Sequence, residues 1–494
     1  NFNFKKMAKK ILYTVGFLVF VYVIINFLIL DNSSRLSVLK EKIPLETKTK
    51  IKKYFFPYKY IKKLESNEIL IKKELDLIRK RNRDIGASLN EKDKLLSKIN
   101  EKIGYTRFYE VNNKKIRIME KNFQFKEFKD DFLEIKKHGD ARSGSIYVDK
   151  VEDKVIILTA SGNLQYFLIN DLKKKEFITK VIKTNIKDLI KYENFYSNSN
   201  YGIKDLLIFN DYLYFSFNRE VKNKCFNTSI LRAKLNYDFL NFEEFFYPKE
   251  CVSSDMPGFT PHSAGGRMVK YKDKIIFSSG EYLNRMAAQD KNSILGKILL
   301  IDTTDPKLYK LVSMGHRNVQ GLYFDEDNET LISTEHGPMG GDEVNINKDF
   351  LTKTNNFGWP ISSYGEHYGF KKRNDSHELY KKAPLYKSHK KYGFVEPIQY
   401  FVPSIGISEI VKLSTEMGYN IERNNFLFGA LGRDPSEGDM SLHFVVISND
   451  YSNIEKHQVV NINSRIRDIM KIDQNNILVM LETSSTIGLL SLEN

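Results

Sequence analysis

A glycine-rich segment, residues 335–345 (EHGPMGGDEVN), combines carboxylates and amides with three glycines. Gly337, Gly340 and Gly341 allow sharp backbone turns that expose carbonyl oxygens. Carbonyls and carboxylates are hard oxygen ligands, which suit calcium. A solvated surface loop is the alternative interpretation, and for an isolated acidic loop it would be the better one.

A second polar cluster, residues 315–321 (GHRNVQG), offers the Arg317 guanidinium beside the Asn318 amide, a pair suited to an anionic or polar ligand. Residues 322–334 separate the two clusters and have the pattern of strand, turn and strand. Both clusters therefore lie at the ends of one predicted hairpin, where a rigid sheet can hold polar groups in a site. The motif NFGWP follows and contains the only tryptophan, Trp359.

Three motifs in this order, GHRNxQG, EHGPxGGDExN and NFGWP, resemble those of the glucose/sorbosone dehydrogenase family. The resemblance extends from about residue 202 to residue 482. It implies a six-bladed β-propeller that uses pyrroloquinoline quinone (PQQ) and calcium to oxidise a sugar hydroxyl.

The spacing of short apolar runs independently predicts such a fold. A unit of apolar strand, polar turn and second strand recurs from about residue 105 onward, at residues 145–160, 204–217, 266–281, 319–335, 407–431 and 466–482. A repeat of roughly sixty residues is typical of propeller blades. Residues 105–494 are therefore predicted to form an all-β, six-bladed β-propeller, with the strand at 486–492 completing a blade.

The resemblance implies three catalytic residues. His262 would take the hydroxyl proton as hydride passes to PQQ, Glu281 would orient that histidine, and Arg317 would stabilise charge developing on the reduced quinone. From residue type alone, an isolated loop histidine more commonly faces solvent. The pattern also departs from that of the family, because one extra residue separates His262 from Arg267.

Cofactor-binding residues are predicted on a late strand. Arg465 and Arg467 alternate and so share one strand face, and two guanidiniums suit the three carboxylates of PQQ. An edge-strand charge pair is the alternative. The resemblance adds Asn318, Ser404 and Arg433 to the cofactor site.

The resemblance also assigns the metal ligands and shows where this chain differs from its pattern. Calcium would be held by the Gly337 and Pro338 carbonyls, with Glu343 as a carboxylate ligand. Glucose-oxidising members of the family have a lysine where Gly432 stands here. The segment 200–204 (NYGIK) also differs from the corresponding family segment, so the substrate range stays open.

Cys225 and Cys251 are the only cysteines, and in an exported domain such a pair forms either a disulfide or two buried thiols. The sequence contains no Cys/His spacing typical of zinc sites. It also lacks a Gly-x-Gly-x-x-Gly motif after a strand, which argues against a nicotinamide-binding fold.

Residues 1–32 are predicted to contain a cytoplasmic tip and a transmembrane anchor. Residues 11–30 carry no charge, and this stretch is long enough to span a bilayer. A cleaved signal peptide is the alternative, although no small-residue cleavage site follows. Four lysines precede the span, so the positive-inside rule favours a cytoplasmic N-terminus and a body on the periplasmic side.

Residues 33–104 are predicted to form a basic helical stalk. Apolar residues at 4-3 spacing between positions 64 and 103 indicate a coiled coil, and hence a homo-oligomer. A single amphipathic helix is the alternative. Most of the net charge of +15 belongs to residues 1–104. This suits anionic membrane lipid, while the balanced body makes nucleic acid an unsuitable partner.

The interpretation is a membrane-tethered, PQQ- and calcium-dependent sugar dehydrogenase that passes electrons to a quinone or a cytochrome. Two alternatives stay open. One is a catalytically silent propeller that binds glycans or a protein partner. The other is a calcium-dependent lactonase, because six-bladed propellers support that chemistry too.

Overall fold

The computed structural model describes residues 12–21, 66–67, 69–82, 84, 104–130, 145–368, 378–418 and 424–493. The chain divides into two compact units, residues 1–95 and 96–494. In the first unit, residues 12–21 and 69–82 are helical. No helix within the described ranges is both long and apolar enough to cross a bilayer. The rest of the predicted span and of the predicted heptads lies outside the described residues.

The second unit is built almost entirely of strands. They are β1 (Tyr105–Ile118), β2 (Lys121–Asp130), β3 (Ile146–Val151), β4 (Lys154–Thr159), β5 (Leu164–Leu168), β6 (Glu176–Thr184), β7 (Ile203–Phe209), β8 (Tyr212–Lys222), β9 (Cys225–Lys234), β10 (Phe239–Leu240), β11 (Glu243–Phe246), β12 (Val252–Ser253), β13 (Gly265–Tyr271), β14 (Lys274–Ser279), β15 (Lys297–Asp302), β16 (Tyr309–Met314), β17 (Val319–Asp325), β18 (Thr330–Glu335), β19 (Asp342–Asn347), β20 (Asn355–Asn356), β21 (Gln399–Phe401), β22 (Ile407–Lys412), β23 (Asn424–Ala430), β24 (Ser441–Ile447), β25 (Ile454–Asn461), β26 (Ile466–Lys471), β27 (Asn476–Leu481) and β28 (Thr486–Leu492). Short helical segments connect them at Ile169–Lys173, Ile186–Leu189, Glu193–Ser197, Arg285–Gln289, Glu378–Lys382, Lys390–Tyr392 and Pro435–Glu437.

The six repeats predicted from the sequence are confirmed as antiparallel hairpins: β3–β4, β7–β8, β13–β14, β17–β18, β22–β23 and β26–β27. The first strands of these hairpins contact one another in chain order, and β26 contacts β3. The ring is therefore closed, as in a six-bladed propeller.

The outer strands complete the blades and join the two ends of the unit. Four sheets extend outward from β7, β13, β17 and β22. In the remaining sheet, β28 pairs with β2, and β1 links β2 to β6. The prediction that residues 486–492 complete a blade is confirmed, because β28 lies between β27 and the N-terminal strand β2.

The blades pack face to face, which explains the apolar runs in their strands. Strand β24 (SLHFVVI), for example, is buried along its whole length. Between the first two blades, Ile156 and Leu158 form a buried cluster with Leu213 and Phe215. Burying each such side chain contributes roughly 1.5–3 kcal/mol.

Carboxylates on the innermost strands bind neighbouring strands to one another. Asp205 accepts a hydrogen bond from the Met268 amide at 2.6 Å, and Asp468 accepts one from the Val148 amide at 2.9 Å. These bonds run from one blade to the next, so each of these carboxylates stabilises the ring as well as its own blade. The sequence analysis did not identify this role.

At the centre of the ring, the buried Arg267 guanidinium contacts three carboxylates. The distances are 2.9 Å to Asp205, 3.0 Å to Glu409 and 2.8 Å to Asp468. Burial raises the pKa of Asp205 to about 7 and that of Glu409 to about 8, although Arg267 opposes both shifts. We call these four residues the central cluster.

The two cysteines form a disulfide, with 5.5 Å between the Cα atoms of Cys225 and Cys251. The bond joins the start of β9 to the segment just before β12. Of the two alternatives left open by the sequence, the disulfide is therefore the one present.

Candidate functional site

The predicted site residues lie on one face of the ring, which we call the site face. It is the end where the first strand of each hairpin begins and the second strand ends. They are His262 before β13, Glu281 after β14, Arg317 and Asn318 before β17, Gly337 and Pro338 after β18, Glu343 in β19, Ser404 before β22, Arg433 after β23, and Arg465 and Arg467 at the start of β26.

The arginine pair points to one side of β26, as the alternation predicts. Both guanidiniums contact the same buried carboxylate, Glu482, at 3.2 Å from Arg465 Nε and 2.6 Å from Arg467 Nε. Although burial opposes it, the charges of Arg467 and Arg465 hold the pKa of Glu482 at about 2. Two cations therefore share one anion. The sequence analysis missed Glu482, although it ends the sixth repeat.

A chain of amides connects this pair to the loop before β13. Asn318 Oδ1 accepts hydrogen bonds from the Gly265 amide and from Gln320 Nε2, both at 3.0 Å. Gln320 Oε1 in turn accepts from Arg467 Nη1 at 3.1 Å. Asn318 thus positions the β13 loop relative to Arg467.

Two further guanidiniums flank the only tryptophan. The guanidinium carbons of Arg285 and Arg317 lie 5.5 and 5.6 Å from the centre of the Trp359 ring. Arg317 also donates to the His336 carbonyl at 3.0 Å and lies 5.9 Å from the ring centre of Tyr368. Cation–π contacts of this kind hold a cation without neutralising its charge.

Glu281 is fully buried near these cations. Burial raises the pKa of its carboxyl to about 7, although the charge of Arg317 favours the ionised form. The Trp359 indole also favours that form, yet no hydrogen bond of good geometry joins the two groups.

Several buried polar atoms on this side of the site face have no hydrogen-bond partner within the described part of the chain. They are both carboxylate oxygens of Glu281, Arg317 Nε, His336 Nε2 and Trp359 Nε1. A buried polar atom without a partner costs about 1–3 kcal/mol, and native proteins rarely leave one. So many around one tryptophan indicate that a polar ligand belongs here.

His262 and Glu281 end the same hairpin but differ in environment. The His262 side chain is exposed, and its Nδ1 lies 3.0 Å from Thr260 Oγ1. Glu281 is buried against the arginines. The orienting contact between Glu281 and His262 therefore stays a prediction.

The predicted calcium turn is held by Asp342. Its Oδ1 accepts from the Gly337 amide at 3.0 Å, and its Oδ2 accepts from the Ile407 amide at 3.0 Å. The Pro338 carbonyl faces the predicted cofactor residue Ser404, whose hydroxyl lies 3.4 Å away. Glycine is required at 337, because a Cβ there would lie 2.2 Å from the Gly341 carbonyl oxygen.

Glu343, close to this turn, belongs to a pair of buried carboxylates. It lies opposite Glu335 on the neighbouring strand, and burial raises the pKa of both carboxyls to about 7. His389 Nε2 lies 3.3 Å from Glu343, and His316 Nδ1 lies 3.1 Å from Glu335. A cavity of about 10 Å³ between them is lined by both glutamates, His389 and Gly337. It has room for one water or one ion.

Arg433 and Gly432 follow β23 at the edge of the site face. The Arg433 side chain is exposed. A Cβ on Gly432 would lie 1.9 Å from the Asp439 carboxyl carbon, so Asp439 occupies the space that a side chain at 432 would need. The absence of a lysine here is therefore built into the local packing.

Comparison with known proteins agrees with the fold. The family model named "Glucose / Sorbosone dehydrogenase" matches residues 152–490. The chain is 25% identical to the aldose sugar dehydrogenase YliI of Escherichia coli over 273 residues, which are 52% of this chain and 67% of that protein. It is also 26% identical over 218 residues to the uncharacterized protein slr1608 of Synechocystis sp., covering 42% of this chain and 47% of slr1608, or about half of that relative.

Among solved structures, the soluble aldose sugar dehydrogenase Asd of Escherichia coli in its apo form is similar, with a TM-score of 0.54 and 20% identity. The likeness covers 71% of this chain and 96% of that one. A glucose dehydrogenase structure gives a TM-score of 0.54 at 18% identity, over 70% and 96% of the two chains. At these identities the likeness concerns the fold.

Proposed function

Because this chain belongs to the glucose/sorbosone dehydrogenase family, we propose that it is a sugar dehydrogenase that uses PQQ and calcium. The observation that carries the proposal is the group of buried, unpartnered polar atoms on Glu281, Arg317, His336 and Trp359. The nitrogens of Arg317, His336 and Trp359 can donate hydrogen bonds to an anionic cofactor, whereas the Glu281 oxygens need a donor such as a sugar hydroxyl. The Arg465–Arg467 pair lies on the same face.

The charge balance around the arginine pair supports a carboxylated ligand. Glu482 neutralises one of the two guanidiniums, so one positive charge remains for a ligand carboxylate. Asn318 and Gln320 connect that charge to the β13 loop. Arg465, Arg467, Asn318 and Ser404 would hold the cofactor, with the exposed Arg433 at its edge.

Catalysis requires a base, a hydride acceptor and a cation near the acceptor. Bound PQQ would supply an ortho-quinone that accepts hydride from the sugar carbon. His262 lies exposed at a loop end where a sugar can approach, and it takes the hydroxyl proton on its imidazole. Arg317, held over Trp359 and close to Glu281, stabilises negative charge that develops nearby.

Calcium fits the turn after β18. The Gly337 and Pro338 carbonyls and the buried Glu343 carboxylate supply hard oxygen donors. Glu343 and Glu335 lie together with raised pKa values, and a divalent cation near them would favour their ionised forms. Bound calcium would polarise a neighbouring carbonyl group as a Lewis acid.

A dye-linked oxidation assay tests the proposal. The purified chain would be assayed against a panel of aldoses with PQQ and calcium together, with each alone, and with neither. We expect sugar-dependent dye reduction only with both. Absence of turnover on every sugar, with the protein folded, would favour the glycan- or protein-binding propeller. Hydrolysis of a lactone without PQQ would favour the lactonase.

We also propose that residues 1–32 anchor the protein in a membrane and that residues 33–104 form an oligomeric stalk. The uncharged stretch 11–30 and the heptads support this topology, which puts the body on the periplasmic side, near a quinone or cytochrome acceptor. Protease added to intact spheroplasts should digest the region after residue 105. Protection of that region until the cells are lysed would contradict the topology.

A further inference from the structure

Lys204, the second residue of β7, lies at the end of that strand that belongs to the site face. Its Nζ donates to the Asn200 carbonyl at 2.6 Å and approaches the Ser199 carbonyl at 3.4 Å. The side chain is only partly exposed. None of the predicted catalytic or cofactor roles uses this amine.

The backbone of the next blade is shaped to accommodate the lysine stem. Gly266 has a φ of +108°, and a Cβ there would lie 2.3 Å from Lys204 Cβ and 3.0 Å from its Cγ. The strand register is irregular at this point, between Gly265 and Met268. The extra residue between His262 and Arg267 falls in this irregular stretch, so the departure from the family spacing and the lysine lie against each other.

One cation, Arg467, and one anion, Glu482, are the charged groups that act on the amine. The Gly266 backbone faces the Cβ and Cγ of the lysine stem, and the Ser216 hydroxyl donates to the Gly266 carbonyl. Burial first, and then the charge of Arg467, lowers the pKa of Lys204 to about 7, and Glu482 only partly offsets this.

These contacts do not explain why this position holds a lysine rather than an apolar residue. Two carbonyls of its own loop accept from the amine, but an apolar side chain would fill the space over Gly266 without placing a second cation near Arg467. An ammonium group has three donors and favours an anionic acceptor over carbonyls. A ligand carboxylate beside Arg467 would supply that acceptor.

We propose that Lys204 is a third cationic residue of the cofactor site, binding a carboxylate of PQQ together with Arg467 and becoming protonated as the ligand binds. This inference rests on the proposed function, because it assumes a carboxylated cofactor. It adds a residue that the family motifs do not assign.

Proton uptake on binding is the decisive readout. With a pKa of about 7, the amine is about 90% neutral at pH 8 and about 90% protonated at pH 6. PQQ titrated by calorimetry in two buffers of different ionisation enthalpy gives the number of protons taken up. Lys204→Met should take up fewer protons than the wild type at pH 8, and this difference should be much smaller at pH 6. Glu281, Glu335 and Glu343 titrate in the same range, so only the difference between variants reports Lys204.

The same titrations measure affinity. Loss of a charge-assisted bond predicts about ten- to a hundred-fold weaker PQQ binding by Lys204→Met at pH 6. Lys204→Arg keeps the charge and should retain more affinity while losing the proton uptake. Lys307→Met, at an exposed lysine far along the chain, is the matched control and should behave as wild type.

The outcomes separate this inference from the proposed function. If wild type does not bind PQQ, the proposed function fails and the lysine assignment fails with it. If wild type binds PQQ but Lys204→Met matches it in affinity and proton uptake, only the Lys204 assignment is overturned. Unchanged melting temperatures of both Lys204 variants would confirm that the comparison is made on folded protein.

Discussion

Two groups of arginines in the ring illustrate the difference between a structural and a functional cluster. In the central cluster, one guanidinium meets three carboxylates and also donates to the Gln320 and Arg467 carbonyls, at 2.7 Å each. On the site face, Arg465 and Arg467 share the single carboxylate of Glu482.

The two clusters differ in the sign of their net charge and in how fully their polar groups are hydrogen-bonded. The central cluster has an excess of acid, and every strand around it is bonded to its neighbour. The Arg465–Arg467 pair has an excess of positive charge over Glu482, and the site face also carries polar atoms on Arg317, Trp359 and Glu281 that have no hydrogen-bond partner among the described residues. A cluster that satisfies itself stabilises the fold, whereas one with spare donors and net charge is arranged for a ligand.

The largest effect is expected at the central cluster. Arg267→Met would leave three carboxylates buried without their cation, and removing one partner of a buried ion pair costs about 3–5 kcal/mol. We expect the free energy of unfolding, measured with urea, to fall by that amount. Arg117→Met, at an exposed arginine of β1, is the control and should change it little. An Arg267→Met variant as stable as wild type would remove the structural half of the comparison.

On the site face, the largest expected effect is on the rate. His262→Ala removes the proposed base, so kcat should fall about 10²–10⁴-fold. PQQ affinity and the melting temperature should stay near those of wild type, because the imidazole is exposed. Near-full activity of this variant on the best sugar would move the base elsewhere, and His336, whose Nε2 has no hydrogen-bond partner among the described residues, would be the next histidine to test.

A smaller effect is expected on cofactor binding. Arg467→Ala removes one guanidinium from the carboxylate site, and we expect about ten- to a hundred-fold weaker PQQ binding by calorimetry. Glu482 stays paired with Arg465, so stability should fall much less than in Arg267→Met. Equal affinity in the variant and the wild type would show that the pair serves structure alone.

The central cluster and the Glu482 carboxylate of the arginine pair should also respond oppositely to pH. Asp205 and Glu409 have raised pKa values when folded, so they bind protons more tightly in the folded protein; their protonation stabilises it at low pH, and that contribution is lost as pH rises through about 7–8. The lowered pKa of Glu482 contributes stability above about pH 4 that is lost towards pH 2.

Stability measured across pH tests this contrast. Between pH 6 and 8 the free energy of unfolding should fall by on the order of 2 kcal/mol per raised carboxyl. Glu409→Gln should flatten that decline, because its side chain no longer titrates. A decline of the same slope in Glu409→Gln would mean that Glu409 does not titrate in this range.

Local patterns predicted much of this molecule. The strand–turn–strand repeats gave all six hairpins, since each is determined by short-range alternation and turn residues. The motifs also placed Arg465, Arg467 and Asn318 on one face, because their positions relative to strand ends determine that face.

Contacts between distant parts of the chain were not predictable. Glu482 pairs with Arg467 across a hairpin, and Asp205 meets Arg267 across a blade boundary. Nothing in a single segment reveals such pairs, because each carboxylate alone resembles a solvated one. In the sequence, Lys204 was visible only as a departure in the NYGIK segment. Its proposed role depends on Gly266, which belongs to the next blade.

The most direct test of the account is calorimetric titration of PQQ into the full chain with and without calcium. We predict one PQQ per chain, bound when calcium is present and much more weakly when it is removed by a chelator. An enthalpy of PQQ binding that is the same with and without calcium would contradict the proposed metal site. Absence of binding at any calcium concentration would contradict the central claim that the polar groups on the site face form a cofactor site.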